Sequence, residues 1–418
     1  MKLLIKQACI VSPSSPFNRK VKDIFIIDGI IQKIADSINE SAQQIIAVDN
    51  LHVSIGWMDL FADFGDPGFE HKETIESGAK AAAAGGFTEI MLIPNSSPVV
   101  DNKSQVEYIV QKAKQVAVTI HPIGAVSKGT DGKELSEMYD MRQSGAIAFG
   151  DGIHPIQNSG MVLKGLQYVK SFDGTVIQIP DDTGIGTNGL MNEGIVSTQM
   201  GLPGKPTLAE ELMVARDIKL TRYADSKLHF TGISSPKSLE YVKRAKEAGI
   251  QVSCSITPYQ AFFCDEDLQG YDTNLKLNPP LRNRTDMMAI KKALLEGTID
   301  CVASHHLPQH WDNKTCEFEY AKHGMISLET MFAVLTTCGL PVEHFVQMQT
   351  VNVRKIFGIS IPEIAEGQEA SLTLFSPNTE VTFTKEMIAS KSKNSPFVGK
   401  KLKGSVIGII NKSIVQLN

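Results

Sequence analysis

From about residue 53 the chain alternates short, nearly continuous apolar runs with segments whose apolar residues recur at helical spacing. Parallel strands that are covered on both faces have such continuous apolar runs, and spacings of three and four residues indicate helices between them. The runs are, in order, HVSIGWMDLF, FTEIMLIPN, VTIHPIGAV, AIAFGD, TVIQIPD, KLHFTGIS, QVSCSITP and DCVASHH. Eight strand–helix units predict an α/β fold, a closed (β/α)₈ TIM barrel over residues 53–361.

An open, doubly wound sheet is the alternative to the barrel. That fold carries a glycine-rich fingerprint directly after its first strand, and no such motif follows the first apolar run here. In the nearby stretch KAAAAGG, Gly85 and Gly86 are placed to end a helix rather than to open one. The pattern therefore favours the barrel.

The two ends of the chain have a different pattern from the middle. Residues 1–52 contain two β-rich runs, and the second carries an Asp28-Gly29 pair typical of a hairpin turn. Residues 362–418 contain three more β-rich runs. Because each set is too small to form a core alone, we predict that both termini pair into a small β-sandwich beside the barrel.

Composition limits where the protein works and what it binds. The 418 residues have a net charge of −5, which argues against nucleic acid or an anionic membrane as the main partner. Six scattered cysteines without a C-x-x-C pair fit a reducing compartment. With no signal peptide and no long apolar run, we predict a cytoplasmic protein, and the stretch KSKNSPFVGKKLKG is expected to be solvated surface.

Active sites of barrel enzymes lie at the C-terminal ends of the strands, so the polar residues there are the candidates for chemistry. In strand order they are Asp59, Asp63 and Asp66, then Asn95, Asp151, Gln178 and Asp181, and finally His305 and His306.

Several long motifs in the same order resemble the dihydroorotases of the cyclic amidohydrolase superfamily, over essentially the whole chain. The motifs are DPGFEHKETIESGAKAAAAGGFTEIMLIPNSSP, AFGD with HPIQ, LHFTGISSPKSLEYVKRAKEAGIQVSCSITP, LKLNPPLR, GMISLET and SKSKNSPFVGKKLKGSV. The resemblance implies the barrel with a composite β-sandwich, a role in pyrimidine biosynthesis, and a pair of zinc ions that activate water against a cyclic amide.

The ligand positions implied by the resemblance have mostly lost their donor atoms. They fall on Phe61, Asp63, Asp151, Gln178, Gly232 and His305, the last at the place of the family's catalytic aspartate. The substrate-clamping arginine falls on Gly65, and an acid that often follows Asp151 is Gly152. Only Asp151 is retained, so we predict no binuclear zinc site, no catalytic residue at position 305 and no cofactor. Remnants of the substrate pocket are Asn95, Asn278, Arg282 and His306.

Three functions remain open at this stage. The first is a catalytically silent homologue that acts as a structural or regulatory partner, for example of aspartate transcarbamoylase, which assembles with some members of the family; a homo-oligomer is also expected. The second is an active cyclic amidohydrolase with a rebuilt mononuclear zinc site of Asp63, Asp151 and His305, since three protein ligands suffice for such a site. The third is a sensor that binds an acidic pyrimidine precursor through Asn95, Arg282 and His306.

Overall fold

In the computed structural model, which describes residues 1–13 and 15–418, the strands form two large sheets and one short pair. The strands are β1 (Lys2–Val11), β2 (Val21–Ile27), β3 (Ile30–Ala35), β4 (Gln44–Ile46), β5 (His52–Ile55), β6 (Trp57–Ala62), β7 (Phe87–Leu92), β8 (Thr119–Gly124), β9 (Ala148–Phe149), β10 (Thr175–Gln178), β11 (Met191–Asn192), β12 (Gly204–Lys205), β13 (Lys227–Phe230), β14 (Val252–Ile256), β15 (Cys301–Val302), β16 (Ser371–Thr382), β17 (Lys401–Asn411) and β18 (Ile414–Leu417).

The central sheet is a nearly closed parallel barrel, as the alternating pattern predicts. Its order is β6-β7-β8-β9-β10-β13-β14-β15, and a bridge between Ala62 and His306 brings the two edges together. The backbone N–H of Asp63 also donates to the carbonyl of His306 at 2.9 Å. The ends of the first and last strands are therefore direct neighbours.

Helices follow the barrel strands, and 3₁₀ segments fill several loops. The α-helices are α1 (Ile75–Ala84), α2 (Lys103–Ala113), α3 (Met138–Gln143), α4 (Ser159–Lys170), α5 (Ile195–Met200), α6 (Leu208–Ala224), α7 (Pro236–Glu247), α8 (Arg284–Leu295), α9 (Met331–Thr337), α10 (Val342–Gln347) and α11 (Val353–Phe357). Helix α1 ends directly before Gly85, and Gly86 has a positive φ of 89°, which confirms the predicted stop. Within the described residues, no helix combines the length and apolar character needed to cross a bilayer.

The first apolar run, HVSIGWMDLF, forms two strands rather than one. Residues 52–55 pair with β1 and β16 in the terminal sheet, whereas residues 57–62 open the barrel. Gly56 lies between them, where an added Cβ would come within 2.0 Å of the Thr88 hydroxyl oxygen. The close approach of Thr88 explains why a glycine is needed at the change of sheet, which periodicity alone does not show.

Both termini contribute to the second large sheet. Its order is β18-β17-β16-β5-β1-β2-β3, with β4 paired to β1. The Asp28-Gly29 turn joins β2 to β3, and both residues have positive φ, 48° and 82°, as the predicted hairpin requires. Phe375 of β16 packs on Trp57 of β6 at 5.2 Å between ring centroids, so the terminal sheet and the barrel share buried aromatic contacts.

Candidate functional site

Asp59 ties the first barrel strand to the segment after the last one. Its two carboxylate oxygens accept from the backbone N–H and from the hydroxyl of Ser304, both at 2.7 Å. The side chain is fully buried, and burial raises its pKa even though these hydrogen bonds oppose the rise. The contact holds the C-terminal ends of β6 and β15 together, which places Phe61 beside His305.

Phe61 and His305 form a stacked pair at the barrel mouth. Their ring centroids are 4.3 Å apart, and the planes differ by 25°. Nε2 of His305 lies 2.8 Å from the hydroxyl oxygen of Thr231, while Nδ1 has no hydrogen-bond partner among the described residues. Burial lowers the pKa of His305 to about 3, so the imidazole is neutral at pH 7.

The His305 ring also occupies the space beside Gly232. A Cβ added at Gly232 would lie 2.8 Å from Cε1 of His305, and the glycine has a φ of 76°. Both features exclude an ordinary side chain at this position without rearrangement. A histidine cannot simply be restored at 232 while His305 keeps its place.

Asp151, the one retained acid, is turned toward the loop after β8. One carboxylate oxygen accepts from the backbone N–H groups of Val126 and Ser127, each at 2.9 Å, and the other accepts from the Ser127 hydroxyl. Burial raises the pKa of Asp151 to about 6 against the opposing effect of these bonds. Its oxygens are thus already used by the protein's own donors.

Asn95 holds the turn that follows Asp151. Its amide group donates to the Asp151 carbonyl at 3.1 Å, and its oxygen accepts from the N–H of Ile153 at 3.0 Å. A Cβ added at Gly152 would lie only 1.7 Å from that Asn95 oxygen. The Asn95 side chain therefore fills the space next to Asp151 and stabilises the loop that follows it.

Gln178 bonds to the loop after β9 and to α6. Its amide oxygen and nitrogen each lie 3.3 Å from backbone atoms of Ile156, and the nitrogen also lies 3.4 Å from Asp217. Both ends of the amide are therefore engaged by the protein itself, and neither is free to bind a metal.

Asn278 and Arg282 both belong to polar networks, of which only that of Arg282 is fully buried. Asn278 bonds to Asp181 at 3.1 Å and to Lys205 at 3.0 Å. The guanidinium of Arg282 pairs with the buried carboxylate of Glu210 at 3.3 Å. Because Arg282 already has a carboxylate partner inside the protein, it offers no free cation for a ligand carboxylate.

His306 faces the loop between β6 and α1. Its Nδ1 accepts from the N–H of Ser327 at 3.2 Å, and its Nε2 lies 3.7 Å from a carboxylate oxygen of Glu73. Both side chains are fully buried. Burial opposes ionisation of Glu73, but the imidazole and two hydroxyl donors hold the pKa of Glu73 below its usual 4.5.

Asp63 lies on the same side of the mouth as this pair. It accepts from the N–H of Gly65 at 2.8 Å, and burial raises its pKa. The structure thus brings Phe61 to His305, and Asp63 toward His306 and Glu73, but it commits Asp151 and Gln178 to separate loops.

Sequence reasoning missed Glu73 and Glu210. Glu210 was detectable, because helical spacing places it on one face of α6 with the buried Met213, Val214 and Asp217. Glu73 carries no such local signal. Apart from Ser77, its partners, His306 and the residues near 390, are more than 200 positions away in the chain.

The residues present do not fit the zinc pair that the resemblance implies. Phe61 and Gly232 have no donor atom, and Asp151 and Gln178 are engaged by their own loops. Across residues 1–13 and 15–418, no three His, Cys, Asp or Glu side chains are placed to hold a metal together. The mononuclear set of Asp63, Asp151 and His305 is not assembled as a preformed site and stays a prediction for metal analysis.

Comparisons with known proteins identify the family of this chain. A family model described as dihydro-orotase-like matches residues 52–238. A dihydroorotase of Acetivibrio thermocellus is 40% identical, covering 99% of this chain and 98% of its own, and one of Geobacter metallireducens is 39% identical, covering 97% of each.

Two solved structures share the fold. An L-hydantoinase (dihydropyrimidinase) from Arthrobacter aurescens superposes with a TM-score of 0.84 at 20% identity, over 99% of this chain and 95% of that one. A dihydropyrimidinase from Brevibacillus agri gives a TM-score of 0.84 at 20% identity, over 100% and 95%. Both agree with the barrel and the accompanying sheet described above.

Proposed function

Because the chain belongs to the dihydroorotase family of pyrimidine biosynthesis, we propose that it is a member without hydrolase activity, retained as a structural or regulatory partner. The observation that carries the proposal is the filled barrel mouth, where the stacked rings of Phe61 and His305 and the closed space at Gly232 take the place of ligands. A water activated by two zinc ions needs several converging imidazoles and carboxylates, and these residues do not provide them.

The scaffold around the mouth supports the same conclusion. Asp151 and Asn95 both bond to backbone atoms of loops, and Arg282 pairs with Glu210. The groups that would otherwise approach metal or substrate thus stabilise the fold instead.

The direct test measures turnover and metal on the same preparation. The full chain, purified without chelators and then supplied with zinc, should neither open dihydroorotate nor close carbamoyl aspartate, while the Acetivibrio thermocellus relative assayed in parallel serves as the positive control. Elemental analysis should give less than one zinc per chain. Turnover near that of the control would overturn the proposal, and one tightly held zinc lost in Asp151→Asn would favour the mononuclear alternative.

The partner we propose is aspartate transcarbamoylase, and the support for it is the family to which the chain belongs. Co-expression of both proteins from the same organism, followed by size-exclusion chromatography with light scattering, should give a joint peak. The same measurement on the chain alone gives its own oligomeric state. Separate elution at micromolar concentrations of both proteins would remove this partner, whatever the turnover assay shows.

A further inference from the structure

A cavity that neither Phe61 nor His305 lines lies between the loops after β6, β14 and β15 and the segment that joins β16 to β17. It has a volume of about 710 Å³, and the described residues that line it include no carboxylate. We call it the lysine pocket and define it by Lys314, Lys385, Lys391, Lys393, His71 and Trp311. Cavities of several hundred cubic ångströms are the size that small ligands occupy.

The lysines are positioned by backbone carbonyls. The ammonium groups of Lys314, Lys391 and Lys393 donate to backbone carbonyls rather than to carboxylates. The accepting carbonyls are those of Thr273 and Lys322 for Lys314, Glu70 for Lys391, and Ile388 and Ser390 for Lys393, at 2.6–2.8 Å. An ammonium has three donors, so each retains at least one N–H group for an anion. Burial lowers the pKa of Lys314 to about 7, so this lysine is only partly charged at neutral pH.

Two glutamates hold the segment that carries Lys391 and Lys393. Glu73 accepts from the N–H of Lys391 at 2.9 Å and from the Ser390 hydroxyl. Glu329 accepts from the N–H groups of Ala389 and Ser390, both at 2.9 Å. The pocket is therefore preformed, which lowers the entropic cost of binding.

An aromatic platform stands beside the cations. Trp311 is 65% exposed, unusually high for so large an apolar side chain, and its ring lies 5.8 Å from that of His310. His310 in turn pairs with Asp312 at 3.1 Å, a carboxylate adjacent to the lining residues that already has its own partner. An exposed indole next to unpaired cations matches the way proteins hold a planar base and its phosphates.

We propose that the lysine pocket binds a small phosphorylated molecule with a planar ring, a nucleoside phosphate. The lysines take the phosphate charge and Trp311 stacks on the ring. The volume fits a single small molecule, which favours a nucleotide over an acidic peptide. None of the residues that define the pocket belongs to the Phe61–His305 site, so the inference stands independently of the proposed function.

Calorimetric titration of the full chain tests the proposal with uridine triphosphate, adenosine triphosphate, uridine and inorganic pyrophosphate as probes. We expect at least one triphosphate to bind at least about tenfold more tightly than uridine or pyrophosphate. Lys385→Gln with Lys393→Gln should weaken that binding by about tenfold or more. Lys243→Gln, at an exposed lysine of α7, is the matched control and should leave it unchanged.

Further variants separate the two parts of the pocket and guard against misfolding. Trp311→Ala should weaken triphosphate binding but not pyrophosphate binding, while Trp311→Phe should retain most of the affinity. Each variant must keep the thermal midpoint of the parent. If the double lysine variant does not, the single Lys385→Gln change replaces it, and if Trp311→Ala does not, Trp311→Phe replaces it. The proposal would be overturned if neither triphosphate bound at millimolar concentration, or if the lysine variant bound as tightly as the parent. Equal affinity for pyrophosphate, or tighter binding of an acidic peptide, would also overturn it.

Discussion

Burial shifts the pKa values of Asp151 and His305 in opposite directions. In each case it disfavours the charged form, which raises the pKa of Asp151 to about 6 and lowers that of His305 to about 3. The carboxylate compensates by accepting backbone N–H bonds, and the imidazole compensates by stacking on Phe61. Both side chains can therefore stabilise the barrel mouth although they are buried.

The raised pKa of Asp151 predicts a pH-dependent cost. A carboxyl whose pKa is higher in the folded protein than its usual 3.8 binds protons more tightly when folded, so its contribution to stability falls as the pH rises from 3.8 to about 6. Asp151→Asn keeps the shape but cannot ionise. Between pH 4 and pH 7 the variant should gain up to about 3 kcal/mol relative to the parent in urea unfolding. A constant difference across this range would contradict the burial argument.

Gly232 and Gly249 form a matched pair for testing the closed space at the mouth. Both have a φ of 76°, but a Cβ at Gly249 meets nothing within 4 Å, whereas one at Gly232 meets His305. Gly249→Ala should therefore cost about 1–2 kcal/mol from backbone strain alone, and Gly232→Ala about 1–3 kcal/mol more. Free energies of unfolding measure both. The extra cost should shrink in a His305→Ala background, and equal costs for the two glycines would show that the ring does not fill the space.

At the scale of elements, the loop before α1 and the segment 389–395 act as one unit through Glu73. The lowered pKa of Glu73 means that its stabilising contribution is present above pH 4.5 and is lost as the pH falls through the folded value. At neutral pH the carboxylate therefore anchors the segment that shapes the lysine pocket.

Glu73→Ala should release that segment. The N–H of Lys391 loses its acceptor, so hydrogen exchange of amides 389–392 at pH 7 should accelerate by about tenfold or more. Glu76→Ala, at a half-exposed acid in the first turn of α1, is the control and should leave these amides unchanged. Unchanged exchange in the Glu73 variant, measured by mass spectrometry, would mean that the other contacts, those of Glu329 among them, hold the segment without Glu73.

Elements whose signals are local could be predicted from the sequence, and contacts between distant positions could not. The Asp28-Gly29 hairpin and the stop of α1 before Gly85 depend on residues next to each other. The stack of Phe61 on His305 joins positions 244 apart, so only the barrel closure reveals it. The absence of donor atoms at Phe61 and Gly232 can be read from the sequence, because it depends on residue type alone. In the stretch expected to be solvated surface, Lys391 and Lys393 are exposed but Asn394 and Phe397 are buried. The lysines line a cavity there, which the sequence pattern does not show.

For the molecule as a whole, Trp57 is where the two sheets meet. It is fully buried and packs on Phe375 of the terminal sheet and on Phe345 after the barrel, at centroid distances of 5.2 and 4.7 Å. Such shared aromatic packing makes independent unfolding of either sheet costly.

We therefore expect the terminal sheet and the barrel to unfold together. In a Trp311→Phe background, where Trp57 is the only tryptophan, urea transitions by fluorescence and by far-ultraviolet circular dichroism should coincide. Phe375→Ala should lower the free energy of unfolding by about 3–5 kcal/mol and shift both signals equally. Two separated transitions in the background protein would show that the sheets are distinct folding units.

The crowding around Asn95 limits how this protein can change. An acid introduced at Gly152 would run into the Asn95 oxygen, just as a histidine at 232 would run into His305. A single replacement at either glycine is therefore expected to cost stability unless Asn95 or His305 changes with it.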